Sequence, residues 1–147
     1  MKPIRLWLRS QGGTALLETA LTLPLLLLVS VGIFEFGRAY QTWQVLTNAA
    51  REGARVAILP DSTPATATTR VAAYLQSGQL SNAAEATVAV TTVPIDIGGG
   101  ATATASQVTV NYPFRFIVLQ PVARLVVRGS TIGGPLTMTA SAVMRNE

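Results

Sequence analysis

The first sixty residues carry two hydrophobic patterns in succession, and both belong to helices. From Thr14 to Phe34 the chain is nearly all apolar, and Glu18 is its one ionisable residue. At about 1.5 Å per residue a helix of this length spans roughly 30 Å, the hydrocarbon thickness of a bilayer. Its densest part is Leu21-Thr22-Leu23-Pro24-Leu25-Leu26-Leu27-Leu28-Val29. Pro24 removes one backbone hydrogen bond there, which membrane helices tolerate better than exposed ones. From Ala39 to Leu59 the pattern narrows to a stripe. Val45, Leu46, Ala49, Ala50, Gly53 and Ala57 recur every three or four residues, with Asn48, Arg51, Glu52 and Arg55 around them. Glu35 and Arg38 stand at the join, three apart and able to pair. Pro60 ends the run. One helix from about 12 to 59, roughly 70 Å long, is predicted. Its membrane part covers about 14–34 and its stalk 35–60.

The pattern then changes. Asp61-Ser62-Thr63-Pro64 breaks the chain, with Thr63 as N-cap and Pro64 at the first helical position of a second helix over 64–77. Val71, Ala72, Tyr74 and Leu75 give it a partial apolar face, and Gly78 ends it. Three later segments alternate with period two: Thr87–Thr91, Gln107–Tyr112 and Leu136–Ala142. Val88 and Val90 share one face of the first. Val108, Val110 and Tyr112 point inward in the second, and Leu136, Met138, Ala140 and Ala142 in the third. Thr and Ser on the opposite positions predict a half-exposed antiparallel sheet. Gly98-Gly99-Gly100 with the Ala-Thr repeat after it reads as a mobile connection. Residues 114–128 stay open between a short helix starting at Pro121 and a strand through Leu125-Val126-Val127. The fold class is α+β: a long N-terminal helix, then a small domain over 61–147 whose antiparallel sheet packs on helix.

Charge changes the picture at one place. The chain has 11 Lys+Arg and 7 Asp+Glu, a net charge of +4. Lys2, Arg5 and Arg9 lie in the first ten positions. Without residues 1–13, eight basic residues face seven acidic ones. The excess therefore belongs to an N-terminal leader, where the positive-inside rule gives it a role. No later basic block marks a nucleic-acid partner. Absence of Cys and His excludes a disulfide framework, thiol chemistry, the usual zinc sites and the Ser-His-Asp and Cys-His nucleophile arrangements. The acids are scattered, and no pair is spaced for acid–base work. No enzyme activity, metal or cofactor is expected.

Gly12-Gly13 closes the basic leader, and Glu18 sits five residues past Gly13. A carboxylate within a membrane-length apolar segment costs on the order of 2.5–3.5 kcal/mol. This arrangement resembles the start of type IV pilin-like precursors. More closely, the chain resembles the TadE-like pseudopilins of tight-adherence (Tad, Flp-type) pilus systems. The matching residues are Gly13, Ala15-Leu16-Leu17-Glu18-Thr19-Ala20-Leu21-Thr22-Leu23-Pro24, Gly32-Ile33-Phe34-Glu35-Phe36-Gly37-Arg38 and Asn48-Ala49-Ala50-Arg51-Glu52-Gly53-Ala54-Arg55. The close of the chain, Leu136 to Glu147, is similar to the final strand of such proteins. Thr19 departs from the family, which often has an aromatic residue after the Glu. The resemblance implies removal of residues 1–13 between Gly13 and Thr14 by a prepilin peptidase. It also implies extraction by an inner-membrane assembly platform and a minor-subunit role among other pilin and pseudopilin subunits. The N-terminus is then cytoplasmic and the C-terminal domain periplasmic or extracellular, with membrane lipid around the single span.

Most of these positions also admit a plainer reading. Gly12-Gly13 is a flexible joint if no protease cuts there. Glu18 is either a protonated or headgroup-reaching carboxylate, or the partner of the new Thr14 amine that sets subunit register. Pro24 marks a helix kink or a local melt. Ala49, Gly53 and Ala57 let another surface approach closely, either the chain's own sheet or a neighbouring subunit. Arg51, Glu52 and Arg55 form a solvated face with a weak pair. Trp7 is an interfacial anchor. Trp43 lies beyond the bilayer edge and is expected to pack on the sheet. The functional expectation is a minor pilin or pseudopilin in Tad pilus assembly. The alternative is a membrane-anchored or signal-peptide-secreted binding module. Against a signal peptide, no A-x-A site closes the apolar run.

Overall fold

A computed structural model describes residues 11–126, 128, 129, 131 and 133–146. The basic residues of the expected leader, Trp7, Val127 and Glu147 lie outside them. Helix α1 (Gln11–Ala57) runs unbroken for 47 residues with Pro24 inside it, about 70 Å at 1.5 Å per residue. Helix α2 (Pro64–Ser77) starts at Thr63, whose hydroxyl accepts from the Thr66 N–H while Thr66 Oγ1 accepts from the Thr63 N–H. That reciprocal pair satisfies two donors at the helix start. Strands β1 (Thr87–Gly98), β2 (Ala101–Phe114) and β3 (Leu136–Arg145) form one antiparallel sheet in the order β1-β2-β3. A short helix α3 (Leu119–Val126) lies in the connection from β2 to β3. The expected α+β architecture is what the chain adopts.

The stalk half of α1 packs on one face of the sheet with α2 beside it. Leu46, Ala49, Ala50 and Ala54 of α1 meet Val71 and Leu75 of α2, and Val108, Val110, Tyr112 and Phe114 of β2. Small residues on α1 allow this close approach. The opposite face of the sheet is polar: Gln107 Nε2 and Thr109 Oγ1 donate to Ser141 Oγ, and Thr139 Oγ1 donates to Asn111 Oδ1 at 2.7 Å. One dry face and one wet face are what alternating Val/Thr strands produce.

Four expectations are corrected. The Ala-Thr repeat is no mobile connection. Ala101 to Ala105 belong to β2 and pair with β1, Ala103 opposite Ile95 and Ala105 opposite Val93. Its alternation is a strand period, and Gly99-Gly100 alone make the turn with positive φ of 64° and 79°. Pro94 concealed the second half of β1, yet β1 is an edge strand, where proline is tolerated. Leu136 stays 49% exposed at the start of β3, although it stands opposite the buried Phe114 of β2. Trp43 is 45% exposed, because the buried phase of α1 runs through Thr42, Leu46 and Ala49 instead. The short helix begins at Leu119, two residues before Pro121.

Candidate assembly site and its junction with the domain

The N-terminal half of α1 is bare. Residues 13–30 are all exposed, including Leu16, Leu17, Leu21 and Leu23 to Leu28. Its hydroxyls turn back onto the helix: Thr19 Oγ1 donates to the Ala15 carbonyl at 2.9 Å, Thr22 Oγ1 to Glu18, and Ser30 Oγ to Leu26 at 2.8 Å. This leaves few hydroxyl donors facing an apolar surrounding. Gly13 is helical and nothing lies within 4 Å of where a Cβ would stand. Thr14 and Glu18 follow on the same bare helix, and Glu18 is exposed. Pro24 interrupts no helical assignment, although its missing N–H leaves the Ala20 carbonyl without the usual donor. The helix is long and apolar enough to cross a membrane once.

The three small stalk residues sit elsewhere. Ala49 is fully buried in the core, and Ala57 packs on its edge. A Cβ on Gly53 would collide with Val71 Cγ2 and lie 3.2 Å from Val108 Cγ1. Gly53 thus sits where α1 packs closely on both α2 and β2. These residues face the chain's own domain. Glu52, read from sequence as part of a solvated face, also reaches α2: Arg70 donates to its Oε1 at 2.8 and 3.0 Å.

Sequence reading missed the role of Glu35. Its side chain is 0% exposed. Oε2 takes a hydrogen bond from Arg38 Nη1 at 2.8 Å, the pair foreseen from spacing. Oε1 accepts from the backbone N–H groups of Ile117, Val118 and Leu119, the first at 2.7 Å. Those donors lie in the two residues that lead into α3 and in its first residue, close to the positive end of the helix, where a carboxylate is well placed. Burial pushes the Glu35 carboxyl up, but the N–H groups of Val118, Ile117 and Leu119 and the Arg38 guanidinium outweigh it. Its pKa is lowered from the ordinary value. Arg38 also stands over the Phe114 ring at 5.2 Å, and Phe116 meets that ring edge-on at 5.1 Å. The signal was present in the chain. Glu35, Thr42 and Ala49 are seven apart, so Glu35 continues the buried stripe downward.

No curated protein and no solved structure matches the chain. The family model described as TadE-like protein matches residues 13–55, from the glycine before Thr14 to the last turn of α1. The match covers the bare helix, Glu35, Arg38 and the stalk stripe as far as Gly53, and stops before Ala57 and α2. Over that segment, about the first third of the chain, the sequence is similar to the TadE-like protein family.

Proposed function

We propose that this chain is a minor pilin or pseudopilin of Tad-type pilus assembly. It is made as a precursor and cut between Gly13 and Thr14 on the cytoplasmic side. It is held in the inner membrane by residues 14–34, with the C-terminal domain outside the cytoplasm. It joins other pilin and pseudopilin subunits through the bare half of α1. The carrying observation is the division of that helix. Its upper half is used up by the chain's own domain, whereas residues 13–30 are exposed throughout. An uncovered apolar helix is satisfied first by lipid and then by other helices, where van der Waals packing drives association. Glu18 is the one charge in that surface, and a partner amine at Thr14 relieves its cost.

The chain has no Cys, so a single introduced thiol reports cleanly. Leu21→Cys or Leu28→Cys in the native host, treated with a thiol cross-linker, is expected to trap other pilus subunits. Trapping only lipid-phase dimers that never include pilus subunits, with pilus production unaffected by deletion of the chain, would overturn this function.

A further inference from the structure

We infer that Phe116 to Val126, together with Arg128, form a second membrane attachment, lying on the anionic lipid surface where α1 emerges. The inference rests on residues 14–34 forming the span. Depth is fixed by Glu35. It stands one residue past that span, and its carboxylate holds the N–H groups of Ile117, Val118 and Leu119. A side chain on a helix leans toward the helix N-terminus, here toward the bilayer. The start of α3 is therefore pinned level with the top of the apolar run. Burial along α1 agrees: residues 13–30 are exposed, whereas Val31 and Gly32, still within the span, are half-covered, and α3 contacts α1.

The chemistry of the segment matches that level. Ile117 is 59% exposed although it is tied to the buried Glu35. Arg124 and Arg128 are exposed, and no acidic residue occurs anywhere from Ile97 to Asn146. Arg115, nearer the strand, is already paired with Glu85 at 2.9 Å. Arg124 borders an open cleft of about 670 Å³, with Gln120, Gly129, Thr131, Gly134 and Pro135. Apolar contact beside cations that have no acidic partner among the described residues suits an interfacial segment on anionic phospholipid. Two attachments on one rigid domain would hold it at a set tilt on the membrane, which one helix alone does not.

Full-length single-cysteine variants Leu27→Cys, Ile117→Cys and Thr91→Cys, labelled with nitrobenzoxadiazole in vesicles of phosphatidylethanolamine and phosphatidylglycerol, test this. Thr91 is an exposed position of β1. The dye at Ile117 should be blue-shifted, quenched by a headgroup-level nitroxide lipid and shielded from aqueous iodide. The dye at Thr91 should remain open to iodide. Replacing phosphatidylglycerol with phosphatidylcholine, or adding Arg124→Glu and Arg128→Glu, should reduce the shift at Ile117 and leave Leu27 unchanged. A dye at Ile117 as open to iodide as at Thr91, with Leu27 in lipid, overturns the attachment and spares the span. A dye at Ile117 shielded from both quenchers means that protein covers it, which also overturns the attachment. A dye at Leu27 in water removes the span and the attachment together.

Discussion

The carboxylate of Glu35 accepts a hydrogen bond at 2.7 Å from the N–H of Ile117, 82 residues later in the chain. One acid thereby closes the gap between the long apolar helix and the far end of the sheet. Glu35→Ala would leave three N–H groups without this acceptor and Arg38 without its anion. Removing one member of a buried charged network typically costs about 3–5 kcal/mol. A loss of about 3 kcal/mol is expected, read as a lower unfolding temperature in detergent. Glu35→Gln retains an acceptor oxygen and should lose less. The pH dependence follows from the lowered pKa. The folded chain binds the proton less readily than the unfolded chain, so the Glu35 contribution is fully present above about pH 4.5. It is lost as pH falls through the lower folded value. Acid unfolding of Glu35→Gln should lack that component.

Gly53 gives a prediction of opposite sign to its helix propensity. In open space Gly→Ala stabilises a helix by about 0.8–1 kcal/mol. At Gly53 the new methyl collides with Val71 Cγ2, and overpacking costs about 1–3 kcal/mol. Gly53→Ala should therefore lower stability in thermal unfolding, and Gly53→Leu more so. Gly37→Ala, where nothing lies within 4 Å, should be neutral or stabilising in the same assay.

Glu18 is expected to act in assembly more than in cleavage. Glu18→Ala should still insert and lose its leader on a gel assay, but yield few pili and recruit few partner subunits. Glu18→Gln keeps the shape and loses the charge, so it should fail as well. Normal pilus yield from Glu18→Gln would show that shape or polarity, not charge pairing with the Thr14 amine, is what assembly requires.

Orientation is expected from charge. Lys2, Arg5 and Arg9 precede the apolar run, while Glu35 and Arg38 offset each other after it. A reporter active only outside the cytoplasm, fused after Glu147, should be active. An inactive external reporter beside an active cytoplasmic one would reverse this topology.

Much of the fold is legible from periodicity. The helix of 11–57, the capped helix at Pro64 and the inward Val108, Val110 and Tyr112 all follow local rules of spacing and capping. What escaped depends on distant partners. Ala101 to Ala105 become strand because β1 lies opposite them, and Pro94 is harmless only because β1 is an edge. Trp43 is large and apolar, yet the phase of α1 turns it away from the sheet. Glu35 looked like a polar marker at the membrane edge. Its burial is legible from the seven-residue spacing with Thr42 and Ala49, but its partner, the chain returning at Ile117, is announced by no local pattern. Of the site, Gly13, Glu18 and the bare helix are readable because their signal is contiguous, whereas the junction is not.

The most direct test is the intact mass of the protein isolated from membranes or pili of its native host. The expected species lacks residues 1–13 and begins at Thr14, and Gly13→Trp should accumulate as the uncut precursor. A full-length chain, normal processing of Gly13→Trp, or a mature chain beginning near residue 35 would contradict a pilin-like subunit anchored by its first helix.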